Sequence, residues 1–294
     1  MTTVAVVAHA GKTFGGGLLE LRRELQRQGV TDPLWYEVPK SRKAPNRFRR
    51  AIKDGAELVF VWGGDGTVQR CIDALDGADV PIAIVPAGTS NLLASNLGIP
   101  KDIEQAVSTG LHGAHRRLDV GRVNGERFAV MAGAGFDALM IREADGGLKD
   151  RLGRVGYIWA GAKQLGRKPF HAKIKVDGST WFEGKASCVL LGNVGGLFAG
   201  VEAFEDARPD DGMLDLGVVT ADSVLDWLRT IGRTALGASS ASPFVQVTKA
   251  RTAKVQFDRK VLYEVDGGDR TEVKKLAVDI EPAAVDVCVP AQSA

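Results

Sequence analysis

Short apolar segments alternate with amphipathic helical patterns through about the first 110 residues, and this alternation restricts the fold more than any other feature of the chain. Parallel strands cannot be joined by tight turns, so helices must connect them and cover both faces of the sheet. The sequence therefore predicts an α/β N-terminal domain with a parallel sheet. The predicted strands are residues 4–8, 34–38, 57–62 and 80–85, and the predicted helices are residues 18–29, 45–54, 67–75 and 102–110, the last with Asp102 as its N-cap.

The pattern changes near residue 120, where dipeptides typical of two-residue hairpin turns appear at Asn124-Gly125, Asp177-Gly178 and Asp266-Gly267. They predict a mainly antiparallel, β-rich C-terminal domain, with an amphipathic helix over 148–166. We place the domains at 1–121 and 122–294. A closing strand near 284–290 is a candidate to pack back onto the first domain.

Composition argues against several classes of protein. Lys and Arg number 38 against 36 Asp and Glu, a balance that predicts no nucleic-acid partner. The N-terminus lacks the basic and apolar regions of a signal peptide. Three scattered cysteines show no metal-ligand spacing. We therefore predict a cytoplasmic protein whose contact with a membrane is peripheral, on the inner face, and we leave a homo-oligomer open.

Two loops carry the pattern that points to chemistry. Gly-Gly-Asp-Gly-Thr (63–67) follows the third predicted strand, Pro-Ala-Gly-Thr-Ser-Asn (86–91) follows the fourth, and each opens a helix. Glycines and helix N-termini let backbone N–H groups approach a phosphate, whereas Asp65 suits Mg²⁺ or a proton. Either loop alone is also compatible with a plain glycine-rich turn. Both loops at neighbouring strand ends predict a phosphate site.

Two other phosphate motifs fit less well. His-Ala-Gly-Lys-Thr (9–13) resembles the end of a P-loop, but Val6 stands where that motif needs its first glycine. Gly-Ala-Gly-Phe-Asp-Ala (133–138) matches a dinucleotide fingerprint formally, yet the surrounding segment predicts hairpins rather than a βαβ unit. Neither motif favours a P-loop enzyme or a dehydrogenase.

At these residues the chain resembles the lipid kinase family that carries the diacylglycerol kinase catalytic domain, together with the sphingosine kinases and, more distantly, the NAD kinases. Residues 63–67 match its GGDGT motif, and Pro86–Ala94 match P-x-G-T-x-N-x-x-A. Further matches are the segment around Asp119 and residues 169–178, 192–219 and 285–290. The resemblance implies transfer of the γ-phosphoryl group of ATP to a lipid hydroxyl, most directly diacylglycerol at a membrane surface, in a cleft between the two domains.

The same resemblance implies the site residues. ATP would contact Gly63, Gly64, Asp65, Gly66, Thr67, Gly88, Thr89 and Asn91. Asp65 and Asp119 would belong to a Mg²⁺ network. A structural Mg²⁺ would be held by the Asp211 side chain and the carbonyls of Arg208 and Met213.

The chain departs from the family at the last hairpin. The family has Asp-Gly-Glu there, with the glutamate as proton acceptor, whereas Gly268 takes the glutamate position. Asp269 is a substitute base if the hairpin register shifts, and Asp65 is another. Three hypotheses therefore stay open: a diacylglycerol kinase, a kinase for a sphingoid or other hydroxyl, and a catalytically weak lipid- or nucleotide-binding homologue.

Basic residues are concentrated over 40–53 and along 148–168. Basic faces beside apolar ones suit an anionic membrane surface. A solvated helix face is the alternative interpretation of both segments.

Overall fold

The computed structural model describes residues 2–135, 169–196, 203–221 and 243–291. The chain divides into two compact units, Met1–Leu118 with Pro282–Ala294 and Asp119–Glu281. The boundary therefore lies slightly before the predicted position after residue 121, and the last residues return to the first unit. The predicted helix over 148–166 lies outside the described residues.

The first unit contains a parallel sheet in the order β2-β1-β3-β4-β16. The inner strands β3 and β4 are apolar and buried at every position because helices cover both faces of the sheet. The strands are β1 (Val4–His9), β2 (Leu34–Val38), β3 (Leu58–Gly63), β4 (Ile82–Pro86) and the end of β16 (Val273–Val289). The helices are α1 (Gly17–Arg27), α2 (Ala44–Lys53), α3 (Asp65–Asp73), α4 (Leu92–Asn96) and α5 (Ile103–His112), and a 3₁₀ turn spans Ser41–Lys43.

Two helix starts show how local hydrogen bonds set the boundaries. The Asp102 side chain accepts the Gln105 N–H over 2.9 Å, which confirms the predicted N-cap of α5. Helix α3 begins at Asp65 rather than at the predicted residue 67. The carbonyl of Gly64 accepts the N–H groups of Thr67 (2.8 Å) and Val68 (3.2 Å), so the helical turn already includes the acidic residue.

The second unit is a sandwich of two mainly antiparallel sheets. One contains β16, β13, β8 and β9, with β5 and β6 attached, and the other has the order β12-β11-β10-β7-β14-β15. Inward residues of both sheets form one apolar core, in which the rings of Phe170 and Phe257 meet edge to face at 5.1 Å. The strands are β5 (Ala114–Val123, shared with the first unit), β6 (Glu126–Phe128), β7 (Met131–Ala134), β8 (Phe170–Val176), β9 (Ser179–Ala186), β10 (Cys188–Gly192), β11 (Leu214–Val219), β12 (Val245–Ala250), β13 (Thr252–Val261), β14 (Tyr263–Val265) and β15 (Gly268–Asp269).

The three predicted hairpin turns are confirmed. In each, the flanking residues pair directly, and both turn residues have positive φ. That conformation defines a type I′ turn and explains the Asn-Gly and Asp-Gly sequences, because these residues tolerate left-handed backbone.

Candidate active site

The first glycine-rich turn is short and tight. Gly63 is the last residue of β3, Gly64 is the N-cap, and Asp65 is the first residue of α3. A Cβ on Gly63 would lie 2.6 Å from the Cβ of Thr67, so that side chain occupies the space above Gly63. Thr67 is buried, and its hydroxyl lies 3.1 Å from the hydroxyl of Ser41. Thr67 therefore shapes the turn from inside the fold.

The second turn is closed by its own asparagine. Asn91 has left-handed backbone geometry (φ 50°, ψ 49°) and is buried. Its Oδ1 accepts the N–H of Gly88 and its Nδ2 donates to the carbonyl of Gly88, both over 2.8 Å. Asn91 thus holds the turn in shape, while Thr89 at its tip is exposed to solvent.

The two turns touch each other. The N–H of Ala87 donates to the carbonyl of Gly63 over 2.9 Å, which carries the β3–β4 pairing into the turns. A Cβ on Gly88 would lie only 2.4 Å from the Cα of Gly64. Only glycine permits this approach of one backbone to the other. The structure therefore brings the two predicted phosphate loops together at one place.

Asp65 connects the two turns. Its Oδ1 accepts the N–H of Leu93, in the first turn of α4, over 3.2 Å. Burial raises the pKa of the Asp65 carboxyl, and the N–H groups of Leu93, Leu92 and Asn91 lower it in part. The backbone N–H groups at the start of α4 stabilise the Asp65 carboxylate, and N–H groups at a helix start also attract phosphate.

The loop after β1 uses its histidine internally. The Gly11 N–H donates to Nδ1 of His9 over 3.1 Å, and burial lowers the pKa of His9. Trp62, fully buried in β3, donates from its Nε1 to the carbonyl of Lys12 over 3.2 Å. His9 is therefore a loop-stabilising residue.

Asp119 is buried in the second unit and is held on three sides. Its N–H donates to the carbonyl of Pro209 and its Oδ2 accepts the N–H of Gly212, both over 2.6 Å. Asn193 donates from its Nδ2 to the carbonyl of Asp119 over 2.8 Å. Asp119 thus fixes the Pro209–Gly212 turn.

That turn carries Asp211, whose carboxylate has two partners. Oδ1 accepts the N–H of Met213 over 3.0 Å, and Oδ2 lies 2.5 Å from Nζ of Lys249. Arg208 is exposed and lies 3.6 Å from Asp210. Burial raises the pKa of the neighbouring Asp215 to about 6, although the ammonium of Lys249 acts in the opposite direction.

The last hairpin has a regular turn. Val265 pairs with Gly268 and Glu264 pairs with Asp269, so the register shift that would bring Asp269 into the position of Gly268 does not occur. Asp269 is exposed. The carboxylate of Asp266 accepts the consecutive N–H groups of residues 129–131 over 2.8 to 3.0 Å and so anchors the hairpin.

An arginine fills the space beside Gly268. A Cβ on Gly268 would lie 2.7 Å from Nη1 of Arg270, which donates to the Gly268 carbonyl over 2.7 Å. The Arg270 guanidinium also binds both carboxylate oxygens of Glu126, from Nε over 2.7 Å and from Nη2. A guanidinium therefore stands where the family resemblance leads us to expect a glutamate side chain.

Comparison with known families agrees with this architecture. The family described as "Diacylglycerol kinase catalytic domain" matches residues 3–123, and the "YegS C-terminal NAD kinase beta sandwich-like domain" matches residues 130–289. The chain belongs to the diacylglycerol kinase catalytic-domain family. The second match covers the antiparallel sandwich, so both units of this lipid kinase fold are accounted for.

Individual relatives also place the chain in this lipid kinase family. The chain is 31% identical over 219 residues to the diacylglycerol kinase of Bacillus subtilis, covering 72% of this chain and 71% of the relative. It is 33% identical over 227 residues to a probable YegS-like lipid kinase of Enterobacter, covering 75% of each. A putative diacylglycerol kinase from Bacillus anthracis, solved by crystallography, has the same fold, with a TM-score of 0.81 at 21% identity over 98% of this chain and 96% of that chain. Among the described residues, no helix combines the length and apolar character needed to cross a bilayer.

Several residues with roles at these sites carry no signal in the sequence. Ser41 and Lys249 contact predicted site residues from 26 and 38 positions away, and Glu126 is 144 positions from Arg270. Asn193 follows a glycine in a segment that matched the family, which is the one local indication of its importance. Pairings over such separations depend on strand order, which local patterns do not specify.

Proposed function

We propose that the protein is an ATP-dependent kinase that transfers the γ-phosphoryl group to a lipid hydroxyl, with diacylglycerol as the first acceptor to test. The close approach of Gly64 and Gly88 is the observation that supports this most directly, because it brings the backbones of the two predicted phosphate loops together. Membership of a lipid kinase family supports the acceptor class. A sphingoid base or another hydroxyl compound is the alternative acceptor.

Transfer from labelled ATP to lipid in mixed micelles tests the proposal. Diacylglycerol, a sphingoid base and a lipid-free control are offered separately at millimolar Mg²⁺. Labelled phosphatidic acid supports the diacylglycerol assignment, and a labelled sphingoid phosphate moves it to the alternative acceptor. ATP binding without transfer to any lipid, including a total lipid extract, contradicts the kinase assignment.

Asp65 is the residue of this site best suited to a Mg²⁺ ion that accompanies ATP. It is a half-buried carboxylate with one oxygen on a backbone N–H, and a carboxylate has lone pairs left for a hard cation. Bound Mg²⁺ would supply neutralisation of the phosphate charge. We assign to Asp119, buried and bonded to the Gly212 N–H, the positioning of the Pro209–Gly212 turn.

Gly66 offers a test of where the phosphates bind. It is exposed, its φ is not positive, and a Cβ placed on it meets no atom within 4 Å, so the described fold gives no reason for a glycine there. Gly66→Ala should raise the free energy of unfolding by up to about 1 kcal/mol, because alanine favours the helix. It should weaken nucleotide binding by at least about tenfold, because a methyl group would meet the phosphate.

Denaturant unfolding and calorimetric titration with ATP measure the two effects of Gly66→Ala separately. Nucleotide affinity equal to that of the wild type would show that the phosphates do not pass over Gly66. A large loss of stability would instead show that the residue has a structural role.

Gly268 supports a second candidate function, a lipid- or nucleotide-binding homologue with weak catalysis. Glycine cannot accept a proton, and Arg270 occupies the adjacent space. General base catalysis contributes about 10²- to 10⁴-fold, so its loss slows a kinase without abolishing positioning. The labelled-ATP assay distinguishes a slow enzyme from a silent binding protein.

Restoring a carboxylate at this position should raise turnover. We expect Gly268→Glu to increase kcat for diacylglycerol by about 100-fold, because the new side chain supplies a base. The contact at 2.7 Å is with the far end of the Arg270 side chain and not with backbone, so the new side chain must displace the guanidinium from Gly268. Gly268→Gln is the matched control, with the same shape and no base. Equal rates for the two variants would show that this position does not host the base.

Helix α2 lies within the predicted basic segment 40–53, which the structure describes. Three of its apolar residues, Ala44, Phe48 and Ala51, are buried within the unit, so they are not available for insertion into lipid. We assign to its outer face an electrostatic contact with anionic headgroups. The exposed basic residues of α2 are Arg47, Arg49, Arg50 and Lys53.

A further inference from the structure

Lys249 makes an unusual set of contacts for a lysine at the edge of a sheet. It lies on β12 directly opposite Asp215 on β11. Its Nζ is 2.5 Å from Oδ2 of Asp211, 3.2 Å from the carbonyl oxygen of Asp206 and 3.9 Å from Oδ2 of Asp215. Two carboxylates and a carbonyl thus converge on one ammonium group.

The surrounding segment is strongly acidic. Asp206, Asp210, Asp211 and Asp215 lie within ten residues of one another, and Asp215 is only 5% exposed. A buried carboxylate is costly unless a positive group compensates it. Asp210 has Arg208 nearby at 3.6 Å. For Asp211 and Asp215, Lys249 is the cation that the structure places in contact.

The donor set predicted for a structural Mg²⁺ does not fit that ion as arranged. Of its three members, Asp211 alone is charged, and both of its oxygens are engaged, Oδ1 by the Met213 N–H and Oδ2 by Lys249. Mg²⁺ requires direct oxygen ligands in near-octahedral geometry. An ammonium group bonded to the same carboxylate would repel a dication strongly. Within the described residues, no group of three or more acidic, histidine or cysteine side chains offers a replacement site.

We propose that Lys249 takes the place of the divalent cation at the 206–213 turn. The positive charge comes from the chain itself, through an ammonium group that donates to the Asp211 carboxylate and the Asp206 carbonyl and lies 3.9 Å from the Asp215 carboxylate. The turn then folds without a bound metal. This inference concerns the folding of the turn and does not depend on the proposed kinase activity.

Thermal unfolding of the nucleotide-free protein tests this inference in EDTA, in Mg²⁺ and in Ca²⁺. The midpoint of wild-type thermal unfolding should change by less than about 1 °C among the three conditions, because a metal ion that does not bind the folded protein cannot stabilise it. Lys249→Met keeps the apolar stem and removes the charge. It should lower the midpoint in EDTA, and Mg²⁺ or Ca²⁺ should restore part of the loss by occupying the exposed carboxylates. Lys249→Arg keeps the charge and should show no response to metal.

Two results would overturn the proposal. One is a wild-type midpoint that rises by several degrees with Mg²⁺, a rise that Asp211→Asn abolishes. The other is a Lys249→Met protein as stable as the wild type and equally indifferent to metal. If Lys249→Met does not fold, Mn²⁺ is titrated into the wild-type protein instead, and its binding is measured by electron paramagnetic resonance. Saturable Mn²⁺ binding that is lost in Asp211→Asn contradicts the proposal. The proposal is supported if the wild type shows no Mn²⁺ binding that depends on Asp211.

Discussion

Asp65→Asn is expected to slow phosphoryl transfer by about 1,000-fold or more while the protein stays folded. Asparagine retains an oxygen that can accept the Leu93 N–H, the bond that Asp65 makes over 3.2 Å, but it has no negative charge. In the proposed site that charge holds the counter-ion of the phosphates or takes the proton of the acceptor hydroxyl. A neutral amide does neither.

The initial rate of labelled phosphate transfer at saturating ATP measures the effect of Asp65→Asn, and thermal unfolding verifies that the variant is folded. Asp65→Ala is the companion variant. It removes the hydrogen-bond acceptor as well as the charge, so it should also lose about 1 kcal/mol of unfolding free energy. If Asp65→Asn retains more than about a tenth of the wild-type rate, the carboxylate serves α4 as a cap and has no catalytic role.

Gly88→Ala is expected to destabilise the protein strongly. The added Cβ would lie 2.4 Å from the Cα of Gly64 and 2.7 Å from Oδ1 of Asn91. One of these contacts is with backbone, so the two turns must separate. We expect a loss of about 3 kcal/mol of unfolding free energy, and nucleotide binding should fall below detection because the shared site is opened.

Gly184→Ala is the matched control for this substitution. Its added Cβ meets only side-chain atoms of Phe182, at 3.5 Å or more, which is ordinary van der Waals contact. In urea unfolding, Gly88→Ala should therefore have a much lower unfolding free energy than Gly184→Ala. A Gly88→Ala protein with wild-type stability would show that the turns do not approach each other as described.

Much of the fold could be predicted from the sequence because its signals are local. Apolar runs over 4–8 and 34–38 lie in strands, and the Asn-Gly and Asp-Gly pairs form type I′ turns, since residues adjacent in sequence decide both features. The α3 boundary was missed because a Gly-Gly-Asp-Gly sequence is typical of a loop. The carbonyl of Gly64 nevertheless starts the helix at Asp65.

The inner contacts of the candidate site could not be predicted in the same way. The family resemblance predicts that Thr67 and Asn91 contact ATP, but it gives no sign of their internal contacts, in which Thr67 packs on Gly63 and Asn91 bonds to Gly88. The pairs Lys249–Asp211 and Arg270–Glu126 arise only after distant strands have come together. A residue in a motif is important, but the motif alone does not say whether its side chain stabilises the backbone or contacts a substrate.

The return of β16 to the first unit determines when that unit can be completed during translation. Val287 pairs with Ile82 at the β4 side of the parallel sheet, and Asp286 lies 3.0 Å from His115. The ribosome synthesises the whole of residues 119–281 before it reaches these residues. Until then β4 has an unpaired edge, and exposed edges of this kind favour pairing with other chains. The first unit therefore cannot complete its sheet until β16 has been synthesised.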